Sequence, residues 1–427
     1  MTDASLGTTD NSTTQSTDTS KGTSKGTSAD TVLLTITGPD HPGVTTGLLQ
    51  RLPEGVAVLD LEQVVVRGRL VLCVLVTDAP QVLADGDALR QWAAAEGLDL
   101  QLTEGRGDNA NRAPGRAYVV ILARRLGSQT VAHITRQIAG SGANIDRIRR
   151  LARTPVTAFE LDVSGADVPT LRRRLALDAA ELGVDIAVAP GGLARRGRRL
   201  LVMDVDSTLI QDEVIELLAR HAGREAQVAA VTERAMRGEI DFTESLHQRV
   251  EALAGLPESV LAQVRDQVRL TPGAATLVRT VRRLGYTVGV VSGGFIEIVG
   301  PLAAQLQIDH AHANALEVVD GVLTGRVSGP VVDRAEKARK LREWAQQADL
   351  PVERTVAVGD GANDLDMLAT AGMGIAFNAK PVVQARADTT VNVPYLDSVL
   401  FLLGISRDEV EEADATTCAG PYNPTHA

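Results

Sequence analysis

Two carboxylates, Asp204 and Asp206, close the apolar run Leu200–Met203 in the stretch Arg199-Leu-Leu-Val-Met-Asp-Val-Asp-Ser-Thr-Leu-Ile210. The four apolar residues predict a buried strand, and open α/β sheets hold their ligands at the carboxyl ends of strands. An Asp-x-Asp pair by itself is equally an ordinary strand-end turn, but later stretches answer it. Tyr286–Val291 predicts a second strand, ending in Ser292-Gly-Gly-Phe295. Thr355–Val358 predicts a third, ending in Gly359-Asp-Gly-Ala-Asn-Asp364, and Lys337 falls on a helix between the two. Carboxylates from separate strands suit a hard dication such as magnesium, which takes oxygen ligands and keeps waters. Lys337 and Ser292 would neutralise a phosphoryl group beside it, and Gly293 and Gly294 let backbone N–H groups approach an anion. In such a site Asp204 is the candidate nucleophile, forming an aspartyl phosphate. Asp206 is the candidate acid and base, protonating the leaving alkoxide and then taking a proton from water. No P-loop consensus is present, so a dedicated nucleotide cradle is excluded.

The elements needed to position these groups follow from the pattern around them. Residues 199–405 alternate strand and helix, which predicts a doubly wound parallel sheet. Residues 212–270 read as helical throughout, in segments Asp212–Ala222, Arg224–Arg237, Phe242–Ala254 and Glu258–Val268. A helical insert directly after the first strand suits a cap over the site. Beyond it come a hairpin turning at Asp320-Gly321, a helix Ala335–Ala348, a strand Gly374–Phe377 and a helix Leu396–Leu403. The acidic residues 406–427 are expected to form a flexible tail.

Upstream of the sheet the chain repeats itself. Residues 30–104 and 117–190 each read βαββαβ, an antiparallel sheet with one layer of helices, as in a duplicated module. A polar linker lies between the copies and a Pro/Gly/Arg linker follows the second. Residues 1–29 are nearly all Ser, Thr, Gly, Asp and Lys, a composition that cannot offset the entropy of ordering and predicts a disordered tail.

Composition narrows the partners. With 427 residues and 44% hydrophobic content the chain has material for two to four domains. Its net charge of −11 argues against nucleic acid or an anionic membrane as partner. The two cysteines have neither metal-site nor disulfide spacing, and no apolar run is long enough to span a bilayer. A cytoplasmic location is the expectation.

Two resemblances add to this reading. The turn Gly38-Pro-Asp-His-Pro-Gly43 resembles the ligand loop of ACT domains, small modules that bind amino acids. Asp40 and Gly43 are the candidate regulatory residues, although the glycines equally serve tight turns. The second copy departs from that loop, with Arg125-Leu-Gly-Ser-Gln-Thr130 in its place. The larger region, from Asp-Val-Asp-Ser-Thr through Val-Ser-Gly-Gly-Phe and Lys337 to Gly-Asp-Gly-Ala-Asn-Asp, is similar to the haloacid dehalogenase superfamily, and within it to the phosphoserine phosphatases. The run Ala235–Val250 resembles the cap of that family.

The second resemblance implies roles residue by residue. Asp204 would be nucleophile and Asp206 acid/base. Magnesium would be held by Asp204, the Asp206 main-chain carbonyl and Asp360. Ser292, Gly293, Lys337 and Asn363 would hold phosphate. Glu213 would meet the substrate ammonium and Arg249 its carboxylate, a pairing Arg makes bidentately. On polar helices both are also ordinary solvated or ion-paired residues. Met236 and Phe242 would wall the pocket, or else belong to the cap core. Asp364 is expected to orient a metal-bound water or a neighbour rather than bind metal directly. The implied activity is magnesium-dependent hydrolysis of O-phospho-L-serine to L-serine, the last step of serine synthesis. L-serine is the expected effector at the ACT pair and a homodimer the expected assembly. The alternatives are another phosphomonoester or phosphoprotein as substrate, or an amino-acid sensor with vestigial activity.

Overall fold

The computed structural model describes residues 30–106, 115–192, 195 and 197–418. The tail expected at residues 1–29 lies outside the described residues, as do residues 419–427. The chain divides into two compact units between residues 112 and 113.

The first unit runs β1 (Asp30–Pro39), α1 (Val44–Leu49), β2 (Val58–Val66), β3 (Arg69–Thr77), α2 (Ala79–Ala84), α3 (Gly86–Ala95) and β4 (Asp99–Arg106). Its antiparallel sheet has the order β2-β3-β1-β4. Alternation along β1 and β3 sends Val32, Leu34, Ile36, Leu70, Leu72, Val74 and Val76 to one face, where Leu48, Leu89 and Ala93 from the helices cover them. Pro80 lies in the first turn of α2, a position where its missing N–H costs nothing.

The second unit begins with β5 (Ala117–Ala123), α4 (Ser128–Gly140), β6 (Asn144–Ala152), β7 (Thr157–Ser164), α5 (Val168–Leu182) and β8 (Asp185–Pro190). The order β6-β7-β5-β8 repeats the arrangement of the first module. Here both faces of the sheet are buried. Val119 and Ile121 face α4 and α5, while Val120, Leu122, Ala158, Ala187 and Ala189 join the main core of the large domain that follows.

That large domain continues with β9 (Leu200–Met203), α6 (Val214–Ala222), α7 (Glu225–Met236), α8 (Phe242–Glu251), α9 (Ser259–Gln267) and α10 (Ala274–Arg283). It resumes with β10 (Thr287–Phe295), α11 (Ile296–Gln305), β11 (His310–Val319), β12 (Val322–Ser328) and α12 (Arg334–Gln347). It closes with β13 (Thr355–Gly359), α13 (Leu365–Thr370), β14 (Met373–Phe377), α14 (Pro381–Gln384), β15 (Thr389–Val391), α15 (Val399–Leu402) and α16 (Arg407–Cys418). The seven-stranded sheet has the order β12-β11-β10-β9-β13-β14-β15, parallel except for the β11–β12 hairpin. The fold class is therefore α/β with a helical insert, behind two α+β modules. The hairpin turns on Asp320 and Gly321, both at positive φ, as the two-residue turn requires.

Among the elements that were not anticipated, three complete the large domain. α10 follows Pro272-Gly273 and is amphipathic, packing Leu277, Val278 and Val281 on the core. β15 is only three residues long and adds a parallel edge. The third is α16, which stands where a flexible tail was expected at 406–427. Val410 is buried there, and Asp414 pairs with Arg279 and Arg283. The acidic composition suggested a loose segment, but its carboxylates meet the basic last turn of α10.

Candidate active site

Sheet order determines where the site forms. β9 lies between β10 and β13, and Met203 pairs in register with Val290 on one side and Val358 on the other. Strand order reverses about β9, which makes its carboxyl end the switch-point crevice of an open α/β sheet. Residues just past that register, Asp204, Ser292 and Asp360, therefore converge. β10 runs on beyond Val291, but its pairing with β11 shifts there and resumes at Phe295 opposite Asn314. The irregularity turns Ser292–Gly294 into the crevice.

Asp204 is anchored by its N–H, which donates to the Val358 carbonyl at 2.9 Å. The Lys337 ammonium lies 2.8 Å from Asp204 Oδ2 and 2.7 Å from Asp364 Oδ1, with Lys337 and Asp364 both fully buried. The other Asp364 oxygen accepts the Gly361 N–H at 2.9 Å, so Asp364 holds both the lysine and the loop. Burial, then the Asp364 carboxylate, push the Asp204 pKa well above the ordinary range, against the pull of Lys337. Burial also works against the charge on Lys337, but Asp204 and Asp364 outweigh it and keep its pKa above the usual lysine value. Two carboxylates share one ammonium, and the surplus negative charge adds to burial in raising Asp204.

Beyond Asp204 the chain makes one wide turn over Val205–Leu209, with Ser207 at φ 56°. The turn brings Asp206 back over the sheet. Its Oδ1 accepts the Val214 N–H at 2.8 Å, and its Oδ2 accepts the Ser292 hydroxyl at 3.1 Å. Ser292 Oγ in turn accepts the Gly294 N–H at 2.7 Å. Burial raises the Asp206 pKa while these two donors oppose the rise. Asp360 accepts the Thr208 hydroxyl at 2.9 Å, and burial followed by Asp364 pushes its pKa up to about 6. Oxygens of Asp204, Asp360 and Asp364 all lie within 4.8 Å of one another. A set of carboxylates offering only oxygen donors, with Asp204 and Asp360 held at raised pKa values, fits a hard divalent cation.

The insert closes the other side. A cavity of about 710 Å³ is lined by Asp204, Asp206, Asp360 and Asn363 below and by Glu213, Phe242 and Arg249 above. Glu213 accepts the Ser207 hydroxyl at 2.7 Å, and burial, then Asp206, push its pKa up to about 7. Burial lowers the Arg249 pKa, with Glu213 and Asp206 opposing. Asp241 caps α8 through the Glu244 N–H at 2.7 Å, fixing the turn that carries Phe242. A Cβ on Gly293 would stand 3.1 Å from the Phe242 ring, so glycine is what lets the cap approach the loop.

Matches to family models account for most of the chain. Residues 201–369 match the haloacid dehalogenase-like hydrolases, and residues 30–103 and 117–189 each match an ACT domain model. Over 388 residues the sequence is 58% identical to a phosphoserine phosphatase of Streptomyces coelicolor, covering 90% of this chain and 94% of that one. The chain belongs to the phosphoserine phosphatase family. A second member of that family, from Mycobacterium tuberculosis, is 52% identical over 394 residues, 91% of this chain and 96% of the relative. Among solved structures, a haloacid dehalogenase family hydrolase from Salmonella enterica superposes with a TM-score of 0.60 at 30% identity, covering 67% of this chain and 98% of that one. A probable phosphoserine phosphatase from Vibrio cholerae, in unliganded form, gives 0.54 at 35% identity, with 69% and 88% covered.

Not every candidate lies on the cavity wall of this family member. Ser292 and Lys337 lie behind it, acting on Asp206 and Asp204. Met236 ends α7, and its side chain lies outside the described residues. Asp40 and Gly43 line a separate cavity of about 250 Å³ in the first unit, with His41, Thr46 and Gln63. Sequence reasoning missed Thr208, which fixes Asp360, and Thr232, Ile240 and Lys380, which line the main cavity. It also missed Asn314, buried on β11. The Asn314 side chain donates to the Gly293 carbonyl at 2.8 Å and accepts the Val332 N–H at 2.8 Å. An Asn in a strand gives no such signal; only the tertiary approach of β11 to the loop does.

Proposed function

We propose that the chain hydrolyses O-phospho-L-serine to L-serine and phosphate with a magnesium ion. What supports the reading above all is one cavity that joins the carboxylate floor to a cap bearing Glu213 and Arg249. Asp204 attacks phosphorus, forming an aspartyl phosphate as the ester P–O bond to serine breaks, and Asp206 gives the leaving alkoxide its proton. Asp206, now ionised, takes a proton from water as the water oxygen attacks phosphorus, releasing phosphate and restoring Asp204. Ser292 and the loop N–H groups orient Asp206 and the phosphoryl oxygens, Asn363 and Gly293 bind those oxygens, and Lys337 holds Asp204 in line. The Asp204 and Asp360 side chains and the Asp206 carbonyl would hold the magnesium, which supplies positive charge to the phosphoryl oxygens when bound.

Glu213 takes the substrate ammonium and Arg249 its carboxylate, which favours a free amino-acid phosphate over a phosphopeptide lacking those charges. Phe242 excludes water when the cap shuts. The test is phosphate release from a panel of phosphomonoesters, with and without chelator. Phosphoserine should be the preferred substrate, and release should vanish on chelation and return with magnesium. Equal turnover of esters without an ammonium would overturn the specificity.

The regulatory part of the reading rests on the cavity at Asp40 and Gly43, which offers an amino acid the side chains of His41, Thr45, Thr46 and Gln63 as well. A cavity of about 520 Å³ in the second module is mostly apolar, lined by Ile121, Leu126, Val131, Ile148, Phe159 and Leu161 with Ser128 and Thr135. L-serine at the first module would inhibit. Activity assayed against serine, in the wild type and in Asp40→Ala, decides it: inhibition by serine that the substitution leaves unchanged would place the effector elsewhere.

A further inference from the structure

Among the described residues lining the main cavity, the cations are Arg249 and Lys380, against the carboxylates Asp204, Asp206, Glu213 and Asp360. A phosphate ester approaching that floor meets negative charge, so a cation beside its path has work to do. Lys380 is exposed and opens α14, and its carbonyl accepts the N–H groups of Val383 at 2.9 Å and Gln384 at 3.1 Å. The stretch leading to it is tightly held. Asn378 stands at φ 45° and donates its N–H to the Val391 carbonyl at 2.9 Å. The Gln384 side-chain amide donates to the Ala379 carbonyl at 2.7 Å and to Asn392 Oδ1 at 2.9 Å.

From Asn392 the chain of bonds leaves the phosphatase domain. Its side-chain amide donates to Asp185 Oδ1 at 2.8 Å and its backbone N–H to Asp185 Oδ2 at 2.9 Å, while the Thr390 hydroxyl reaches Asp185 Oδ1 at 2.6 Å. Asp185 is 2% exposed and begins β8 of the second ACT module. Burial raises its pKa and the three donors pull against that. An ionised carboxylate only accepts, so Asn392 must turn its NH₂ to Asp185 and its oxygen to Gln384. Polarity is thereby fixed from the module to the Lys380 loop. A second brace holds the other end of the segment. Arg172 lies 2.9 Å from Asp388 Oδ1 while donating to the Val188 carbonyl, and Asp388 Oδ2 accepts the Gly374 N–H at 2.9 Å.

We propose that Lys380 contacts the phosphoryl group of the substrate, and that Asp185 of the second ACT module is the positioning residue that holds the Lys380 loop in place. The proposal rests on the phosphatase reading above. It makes the second module a structural part of the active site, whatever effector the first module takes.

The test measures KM and kcat for phosphoserine, and the Kd of inorganic phosphate, on the full-length magnesium-loaded protein. Lys380→Ala should raise KM and the phosphate Kd about fivefold, the scale of a solvent-exposed charge pair, with kcat within about twofold. The loss should shrink as salt is added, and Lys380→Arg should recover most of it. Asp185→Asn should raise KM in the wild type but add nothing in Lys380→Ala, because residues acting through one another are not additive. Asn392→Ala interrupts the same chain if Asp185→Asn folds poorly. An unchanged KM and phosphate Kd in Lys380→Ala would overturn the contact. Equal effects of Asp185→Asn in both backgrounds would overturn the positioning. Should the wild type release no phosphate from phosphoserine, the phosphatase reading fails, and phosphate binding still judges Lys380.

Discussion

Asp204 carries more conflict than any other group in the site. Its carboxylate is buried beside Asp364 and Asp360 with one lysine between them, and its pKa is raised in consequence. An acid whose folded-state pKa is raised costs stability at pH values above its unfolded-state pKa. Asp204→Asn should therefore abolish phosphate release, by about 10⁴-fold or more, while raising the melting temperature of the metal-free protein by about 2–4 °C. A drop in melting temperature would show that Asp204 is chiefly a structural partner of Lys337. Glu213 allows a pH test. Its carboxylate must be ionised to meet an ammonium, and burial pushes its pKa up to about 7. Below that pH the protonated form accumulates, so KM for phosphoserine should rise about tenfold per pH unit. Glu213→Gln should have a high KM with a flatter acid limb. An identical pH profile in the variant would assign the titration elsewhere.

At the scale of elements, the β9, β10 and β13 ends matter because their register is shared, and the Ser292–Gly294 irregularity matters because of what it packs against. A Cβ on Gly294 would stand 2.7 Å from Asp206 Oδ2 and 3.0 Å from Ser292 Oγ. Gly294→Ala must displace one of the two, and a displacement near 1 Å costs on the order of 10²-fold in rate. The expected outcome is a large loss of kcat with little change in thermal stability, measured on the same preparation. Loss of folding instead would make Gly294 a packing residue. Asn314 supports this loop from β11, and the capped start of α8 supports the facing wall. Each is an element doing for the loop what local sequence cannot.

At the scale of the molecule, the two ACT modules share a topology and differ in their surroundings. In the second unit the module is part of the phosphatase core. In the first, β2 is an edge strand whose Val58, Leu61, Val64, Val65 and Val66 are all exposed, Val66 by 63%. Monomeric proteins seldom leave such a strand uncovered, which supports the expected homodimer, with a second copy covering β2. Val64→Lys with Val66→Lys should convert the species seen in sedimentation from dimer to monomer. A monomeric wild type would remove the proposal.

The candidate residues for chemistry were legible because their types and order are restrictive. An Asp-x-Asp, a Ser-Gly-Gly, a lysine and a second acidic loop, each at the end of an apolar run, leave little else to build. The difference between the modules was also written in the chain. Ala117–Ala123 is apolar or aromatic throughout, as a strand buried on both faces must be, whereas Asp30–Pro39 carries polar residues between its apolar ones. Tertiary structure alone decided the rest, because those contacts join residues distant in sequence. Thr208 meets Asp360, Asn314 meets the Gly293 loop, and Asp185 reaches Asn392 across two domains. The acidic segment Arg407–Cys418 became a helix for the same reason, since Asp414 has basic partners only once α10 is folded beside it. Residue type and local period determined the class of fold and the candidates for catalysis; long-range packing determined what holds those candidates together.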